Sequence, residues 1–551
     1  MTDFIQPHPE LSNRFASDRT LHHTLERLLP AEVFADASPL FQRMGERAMR
    51  EIPALATTAE HNVPRHEPFD AWGRRVDRIE VDPAWHRLVD IGLEEGLVAL
   101  PYENPYGEFT RVVQAGLVNL YDGAGAVASC PLVMTDGAAR LLTLHDEALA
   151  ARYKPKLTAR QGGWTSGQWM TEKEGGSDVG QTSTVARPRG DGTWSLHGTK
   201  WFTSATTSQM ALALARPEDA VPGSRGLSLF LVELRRPDGS WNHIAVRRLK
   251  DKLGTRALPT AELELEGTVA VPVGGIERGV AKIGDLLNVA RLWASWGGPA
   301  GVGHLLMLAR DYATRRRVFG QLLTEKPLHA QWIARITAEY EAMLALNFET
   351  ALALNRHERG TGAPGLARLL APLTKLACAR QSIWAASELV ESFGGAGYVE
   401  DTGIPRVLRN LHVHCIWEGT TSVLAHDVLR ALRAPEAGEA FLADIDGRLS
   451  TLAGHGTRAP DAIVHARRML AELMPRAQES DGRRLAWGMA RTYQSVLLLE
   501  AAAWRQARKA DGSGWTALRL FLQDTLVPPV LPASDEELAA LAFGRDTAVA
   551  S

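Results

Sequence analysis

Cysteine is scarce in this sequence, and long apolar runs are missing. Three cysteines, Cys130, Cys378 and Cys415, occur among 551 residues at wide and irregular spacing. They cannot form a disulfide framework and are typical of a reducing compartment. No stretch approaches the roughly 18 uninterrupted apolar residues of a membrane span, and residues 1–15 lack the basic head and apolar run of a secretory signal. We therefore predict a cytoplasmic protein with no membrane partner.

An excess of charge of either sign is also missing. The chain carries 61 Lys and Arg residues against 64 Asp and Glu residues, for a formal net charge of -3. Such a balance excludes a global electrostatic attraction to nucleic acid or to anionic membranes. The length exceeds what one hydrophobic core supports and predicts about three or four domains.

Changes in hydrophobic periodicity along the chain indicate where these domains lie. Residues 84–98 and 109–120 have the spacing of amphipathic helices. Short β-type runs follow, and Asp191-Gly192 between two of them is a strong hairpin signal. Helical periodicity then returns in long segments with short connections, as in a four-helix bundle followed by a further helical tail. These segments are residues 285–314, 328–355, 366–393, 421–434 and, in the tail, 483–509.

The periodicity predicts a mainly α protein with a central β-barrel domain. The predicted boundaries are an N-terminal helical domain (residues 1–165), the β-barrel domain (166–275), a helical-bundle domain (280–435) and a C-terminal helical extension (436–551).

Two patterns that formally match ligand-binding motifs are rejected. The glycine-rich segment 360–365 matches the dinucleotide fingerprint, but a helical, charged stretch precedes it where that fingerprint needs a strand. We predict an interhelical loop there and no nicotinamide-binding domain. Residues 411–415 offer two histidines and a cysteine, but no second cluster completes a tetrahedral site. We therefore predict no metal.

The candidate ligand-binding segment is Met170-Thr171-Glu172-Lys173-Glu174-Gly175-Gly176-Ser177-Asp178-Val179. It joins a strand-like start to a Gly-Gly turn and offers backbone N–H groups and two hydroxyls, those of Thr171 and Ser177. A flavin needs such donors and acceptors with little side-chain bulk around them. The neighbouring stretch Gly198-Thr199-Lys200-Trp201-Phe202-Thr203-Ser204 reads as a strand, so Phe202 and Ser204 share one face. For the segment 170–179, the alternative to a flavin-binding role is a strand that enters a flexible loop and binds no ligand.

An acidic residue, Glu418, lies in the segment Ile416-Trp417-Glu418-Gly419-Thr420. Acidic and hydroxyl side chains are favoured near a helix N-terminus in any case. The alternative is a catalytic carboxylate, because apolar neighbours raise the pKa of a carboxyl toward that of a useful base.

Taken in order, these three segments resemble the flavin-binding and proton-abstracting segments of the acyl-CoA dehydrogenase family, and most of all its long AidB-like branch. The resemblance implies FAD as cofactor and Glu418 as the base that removes the α-proton of a thioester, with Arg291 close to that base. Arg315-Arg316-Arg317-Val318-Phe319-Gly320 and residues 391–398 resemble two further family signatures, although Glu391 stands where relatives carry Gln. The residues that the resemblance implies as FAD ligands are Met170, Thr171, Gly176, Ser177, Phe202, Ser204, Arg316, Phe319, Gly394, Gly395 and Thr420.

The resemblance predicts a homotetrameric acyl-CoA dehydrogenase with an electron-transferring protein as its acceptor. The alternative is an AidB-like flavoprotein of the alkylation-damage response that binds double-stranded DNA and has weak dehydrogenase activity. Residues 436–551 carry 13 Lys and Arg against 15 Asp and Glu, which does not favour nucleic-acid binding. A flavin monooxygenase on the same fold is a third alternative, and the retention of Glu418 argues against it.

Overall fold

The computed structural model describes residues 6–544, and its first part is a block of helices around one β-hairpin. The helices are α1 (Arg14–Ser17), α2 (Arg19–Leu28), α3 (Ala31–Arg47), α4 (Glu51–His61), α5 (Pro83–Glu94), α6 (Leu100–Glu103), α7 (Thr110–Asp122), α8 (Ser129–His145) and α9 (Glu147–Leu157). Helices α5 and α7 match the two amphipathic patterns of this region. Every residue of α7 is buried, so this helix forms the centre of the block.

The structure places a hairpin, formed by β1 (Arg65–Phe69) and β2 (Arg75–Glu80), within the predicted N-terminal helical domain. The sequence patterns did not predict this hairpin. Its strands are rich in charged residues, and its one buried residue is Asp77. The carboxylate of Asp77 lies 2.8 Å from His66 Nε2 and accepts a hydrogen bond of 2.7 Å from Arg75 Nε. Because polar contacts stabilise this hairpin, hydrophobic periodicity does not reveal it.

The middle of the chain forms the predicted β-barrel. Its strands are β3 (Ser166–Trp169), β4 (Val185–Pro188), β5 (Trp194–Ser204), β6 (Met210–Pro217), β7 (Ser228–Glu233), β8 (Ile244–Leu249) and β9 (Thr260–Pro272). The pairings β6–β7, β7–β9, β9–β5, β5–β4 and β4–β6 close a ring, to which β3 adds beside β6 and β8 beside β9. Most pairs are antiparallel, as predicted, but β3 and β4 pair with β6 in parallel. The Asp191-Gly192 turn joins β4 to β5, and Gly192 has a φ of 83°.

The third part contains long buried helices, followed by the helices of the tail. The bundle helices are α10 (Gly279–Arg315), α11 (Pro327–Glu358), α12 (Pro364–Ser392), α13 (Ile404–Leu411) and α14 (Thr421–Leu432), with a short hairpin of β10 (Arg317–Val318) and β11 (Gln321–Leu322) after α10. The tail helices are α15 (Pro435–Gly454), α16 (Asp461–Leu473), α17 (Gly482–Lys509), α18 (Ser513–Phe521) and α19 (Asp535–Phe543). The rejected fingerprint lies between α11 and α12, as predicted, although its last two residues already belong to the first turn of α12.

The tail packs against the bundle. Helix α17 contacts both α11 and α12, and one apolar cluster extends from Phe15 in α1 to Phe521 in α18. Two buried ion pairs cross this contact, Arg491–Glu339 at 2.6 Å and Arg505–Glu341 at 2.7 Å. Across residues 6–544, no helix has both the length and the apolar character needed to cross a bilayer.

Candidate active site

Glu418 lies in a strained turn between a 3-10 helix, His412–Cys415, and helix α14. Its φ is 56° and that of Gly419 is 106°. A left-handed conformation at a residue other than glycine costs free energy and is typical of functional sites. The Thr420 hydroxyl caps α14 by accepting a hydrogen bond of 3.4 Å from Val423 N. The cap fixes the end of the turn, so the direction of the Glu418 side chain is defined.

Protein atoms surround the carboxyl group of Glu418, although its side chain keeps partial contact with solvent. Burial raises the pKa of Glu418 above its usual range. The cations of Arg291 and Lys375 and a hydrogen bond with Gln168 oppose this rise without cancelling it. A carboxyl with a raised pKa holds a proton more readily after taking one, as a general base requires.

The Glu418 turn and the end of strand β5 meet at Cys130 of α8. Burial raises the pKa of the Cys130 thiol to about 12, and both Glu418 and the Ser204 side chain lie close enough to influence that pKa. Ser204 Oγ also lies 3.1 Å from Thr260 Oγ1. Two parts of the chain that are far apart in sequence therefore reach the same small region of space.

A buried ion pair fixes the loop that follows β3. Lys200 Nζ of β5 lies 2.6 Å from Glu172 Oε1, and this carboxylate also accepts hydrogen bonds from Ser183 and Thr184. The neighbouring Thr171 carbonyl accepts a hydrogen bond of 3.0 Å from Trp201 N. The loop is thus joined to β5 on both sides of the Thr171–Glu172 bond.

The predicted ligand residues of this loop differ in their exposure. The Met170 side chain is 9% exposed and belongs to the apolar core beside β6, so only its main chain can contact a ligand. Thr171 is partly exposed, and Gly176 and Ser177 are exposed. A Cβ at Gly176 would lie 3.0 Å from the Thr171 side chain. Glycine therefore keeps the space above Thr171 open.

The end of β5 presents Phe202 and Ser204 on one side, as the alternation predicts. Phe202 is half exposed and Ser204 partly exposed, whereas Thr203 between them is fully buried. The pairing of β5 with β9 shifts register between Lys200 and Thr203, and such a bulge changes the direction of side chains.

A second group of predicted residues lies at the far end of α10. Tyr312 of α10 packs on Phe393 with ring centroids 5.2 Å apart, which brings the turn at Gly394 and Gly395 close to Arg316. Phe319 forms the tip of the β10–β11 hairpin, is 94% exposed and has a φ of 51°. Within residues 6–544, no hydrogen bond or ion pair joins this group to Glu418 or Ser204. The structure therefore forms two separate clusters from the predicted ligand residues.

Arg291 lies next to the Glu418 turn, as predicted, but it contacts the main chain. Its Nε donates to the Glu418 carbonyl oxygen at 3.5 Å, and its Nη1 donates to Asp427 at 2.6 Å. The sequence interpretation missed Lys375, whose Nζ donates to the Gly419 carbonyl oxygen. A lone lysine within the apolar helical stretch 369–379 was the available signal.

His414 of the segment 411–415 has a packing role. His414 is buried, and its Nδ1 accepts a hydrogen bond of 3.3 Å from the Trp417 indole. In the described part of the chain, metal-ligating side chains gather instead at His22, His23 and Glu26. There Lys509 Nζ lies 2.7 Å from Glu26 Oε1, and His22 Nδ1 lies 3.7 Å from Glu26 Oε2.

A groove of about 980 Å³ lies between the barrel and the N-terminus of α10. Its wall includes Ser224 and Gly226 from the β6–β7 connection, Ile276 from the approach to α10 and Ala281 from the first turn of that helix. Arg225 and Arg278 also line it, and both are exposed. The carboxylates of Glu218, Asp219 and Glu277 line it as well, so the groove is an open site of mixed charge in which the two arginines can pair with phosphate groups.

A helical block, a closed barrel and a bundle of long helices, with an acid from the bundle turned toward the barrel, define the architecture of an acyl-CoA dehydrogenase. Comparisons with known sequence families agree along most of the chain. Residues 6–162 match the adaptive response protein AidB N-terminal domain, residues 167–268 the acyl-CoA dehydrogenase middle domain and residues 277–433 the acyl-CoA dehydrogenase C-terminal domain.

Individual relatives give the same result. The chain is 38% identical over 532 residues to acyl-CoA dehydrogenase family member 11 of Caenorhabditis elegans, covering 91% of this chain and 86% of the relative. It is 32% identical over 443 residues to the putative acyl-CoA dehydrogenase AidB of Escherichia coli, covering 78% and 80%. The crystal structure of Caenorhabditis elegans ACDH-11 in complex with C11-CoA matches with a TM-score of 0.93 and 36% identity over 100% of this chain and 98% of that one. The protein belongs to the acyl-CoA dehydrogenase family, and the resemblance to its AidB-like members is confirmed.

Proposed function

We propose that this protein is an FAD-dependent acyl-CoA dehydrogenase in which Glu418 removes the α-proton of an acyl thioester. The observation that carries the proposal is the convergence of Glu418 and Ser204 at Cys130. This convergence places the Glu418 carboxyl, with its raised pKa, beside the edge of the barrel at which Phe202 and Ser204 are accessible. Proton removal and hydride departure from neighbouring carbons need that arrangement of an acid beside a flavin face.

The residues of the two clusters fit an FAD. Thr171 and Ser177 make no side-chain hydrogen bond within residues 6–544, so both hydroxyls are available to a ligand. At the other cluster, Arg315 pairs with Asp311 and Glu10, whereas the Arg316 guanidinium has no partner in that range. FAD would supply the acceptor for the β-hydride. We propose that Arg316 and Phe319, with the turn at Gly394, hold the FAD of a second subunit, since they lie apart from Glu418.

Proton transfer is the step that the residues of this chain perform. The Glu418 carboxylate accepts the α-proton and becomes neutral, and its partial burial makes the neutral form more favourable than it is in water. The charges of Arg291 and Lys375 keep the group ionised before that event. Gln168 can donate its amide to the carboxylate, and its own amide oxygen is buried without a partner.

The groove beside α10 supports a CoA ester as substrate. Arg225 and Arg278 can pair with phosphate groups there, and the N-terminus of the 37-residue helix α10 adds a partial positive charge. Glu218, Asp219 and Glu277 at the rim disfavour a ligand that is anionic over its whole length. The relative ACDH-11 was crystallised with C11-CoA, and we propose an acyl-CoA for this chain too.

An anaerobic titration tests the proposal. Purified holoprotein is mixed with acyl-CoAs of graded chain length, and bleaching of the flavin absorbance is followed. We expect at least one of them to reduce the flavin, and Glu418→Gln to slow that reduction by roughly 10²–10⁴-fold. Glu436→Gln, at an exposed position of α15, is the matched control and should retain the wild-type rate. Full activity of the Glu418→Gln variant would overturn the assignment of the base.

Double-stranded DNA is the partner that the alternative function requires. Of the basic side chains in the tail, several are already paired with carboxylates: Arg467, Arg484, Arg491, Arg505 and Lys509. Arg491 and Arg505 are also buried, so they cannot reach phosphates. A salt-dependent titration with a DNA duplex separates the two functions, and absence of binding at low salt would remove the alternative.

Other features of the family are carried over as proposals. We propose a homotetramer, an electron-transferring protein as acceptor, a cytoplasmic location and the four domain boundaries given above. The unpaired Arg316 and the exposed Phe319 support assembly, because a contact between subunits would cover both.

A further inference from the structure

Two cations from different helices hold the main chain of the turn that carries Glu418. Arg291 of α10 donates to the Glu418 carbonyl oxygen at 3.5 Å. Lys375 of α12 donates to the next carbonyl oxygen, that of Gly419. Both residues of the turn have positive φ, a conformation that needs support from outside the turn.

The two cations differ in what else they contact. Arg291 forms an ion pair of 2.6 Å with Asp427, which also accepts hydrogen bonds from Arg368. Lys375 has no carboxylate within 4.0 Å in residues 6–544, and its hydrogen bond to Gly419 is the one that it makes there. Its side chain is 0% exposed. A buried, unpaired ammonium group is costly, whereas methionine would fill the same space without that cost.

We propose that Lys375 is a positioning residue for the Glu418 base: it holds the turn through Gly419, and its charge keeps the carboxyl group ionised until substrate is bound. This inference rests on the proposed function for the role of Glu418. It assigns to Lys375 a contact that the neighbouring Arg291 does not make, because Arg291 donates to the preceding carbonyl oxygen and is paired with Asp427.

The electrostatic surroundings of Glu418 support this assignment. The groups that face its carboxyl are Arg291 from α10, Lys375 from α12, Gln168 from β3 and Cys130 from α8. Burial raises the pKa of Glu418, and the cations of Arg291 and Lys375 lower it. Burial also lowers the pKa of Lys375 to about 8, with Cys415 and Glu418 opposing this effect and Arg291 adding to it. The charge of Lys375 is therefore present at neutral pH and is lost in mildly alkaline solution.

The pH dependence of flavin reduction by an acyl-CoA tests the electrostatic part. In the wild type we expect an acid limb from Glu418. In Lys375→Met the acid limb should move up by about one pH unit, which is about a tenfold loss of rate below it. Lys509→Met, which removes a lysine of the tail, should keep the wild-type acid limb. An unchanged profile in Lys375→Met would overturn the inference.

Hydrogen–deuterium exchange of the holoprotein tests the positional part without any acyl-CoA. Amides of the segment 416–422 should exchange about tenfold faster in Lys375→Met than in wild type, and the Lys509→Met control should not change there. Lys375→Gln keeps a donor but not the charge, and serves if the methionine variant does not fold. It should show near-normal exchange together with the shifted acid limb.

The two experiments separate the possible failures. If no acyl-CoA reduces the wild-type flavin, the proposed function fails, while exchange still decides whether Lys375 holds the turn. Unchanged exchange in Lys375→Met contradicts the positioning role whatever the catalytic result is.

Discussion

The buried Glu172–Lys200 ion pair gives the sharpest prediction about the loop after β3. Its two side chains are 1% and 0% exposed and lie 2.6 Å apart. Burial by itself raises the pKa of Glu172. The Lys200 charge and hydrogen bonds from Thr184 and Ser183 outweigh burial and hold that pKa below its usual range. Replacing the lysine by methionine leaves a buried carboxylate without its cation, which costs about 3–5 kcal/mol in known cases.

The hydrogen bonds from Ser183 and Thr184 remain in that variant, so we expect the lower end of this range. A cost of about 3 kcal/mol corresponds to a roughly hundredfold rise in the opening of the loop, because each ~1.4 kcal/mol is a factor of ten. Hydrogen–deuterium exchange of the amides in residues 172–184 measures that opening directly. The double variant Glu172→Gln with Lys200→Met should be less perturbed than Lys200→Met, since it leaves no unpaired charge.

Arg247→Met is the matched control. It breaks an ion pair of the same barrel, Arg247–Glu264, whose side chains are 47% and 36% exposed. An exposed pair contributes at most ~1 kcal/mol, so exchange in residues 172–184 should not change. If Lys200→Met leaves the exchange of the loop at its wild-type rate, the ion pair does not hold the loop.

Two further predictions concern the bundle. Burial by itself raises the pKa of Asp427. Hydrogen bonds from Arg368 and the charge of Arg291 outweigh burial and lower that pKa to about 2. The ionised Asp427 carboxylate therefore stabilises the folded protein above its usual pKa of about 4, and this stabilisation is lost as the pH falls toward 2. We expect Asp427→Asn to flatten the acid side of a plot of melting temperature against pH, and an unaltered plot would contradict this. Arg316→Met should weaken FAD retention at least tenfold by equilibrium dialysis, whereas Arg317→Met should not, and equal loss in both would refute the special place of Arg316.

Long apolar periodicity made the helices predictable. The pattern at residues 285–314 predicts a helix that the structure extends to Gly279–Arg315. The added segment contains Gly279 and Gly284, and glycine is unfavourable inside helices, so the sequence did not indicate this earlier start. The barrel strands were predicted from short β-type runs and turn signals, but the parallel pairing of β3 with β6 was not. Pairing direction depends on contacts between distant segments, which a local pattern does not contain.

The candidate site was predictable only in part, for a similar reason. Glu418 was singled out because the segment 416–420 resembles the proton-abstracting segment of the family, whereas its neighbours alone left a helix-cap role equally open. Lys375 was not, since a single lysine in a helix is ordinary until its burial is known. Cys130 likewise gains meaning only from its proximity to Ser204 and Glu418. Side chains that act through distant partners leave little trace in a single sequence.

The packing of the tail on the bundle restricts how copies of this protein can associate. Glu339 and Glu341 of α11 would be unpaired acids on an open surface without α17, but Arg491 and Arg505 neutralise both. The flank of α11 and α12 beneath α17 is therefore sealed and cannot serve as a contact between subunits. Any oligomer must be built from the remaining sides, and a shorter relative without such a tail is free to use a flank that this chain has closed.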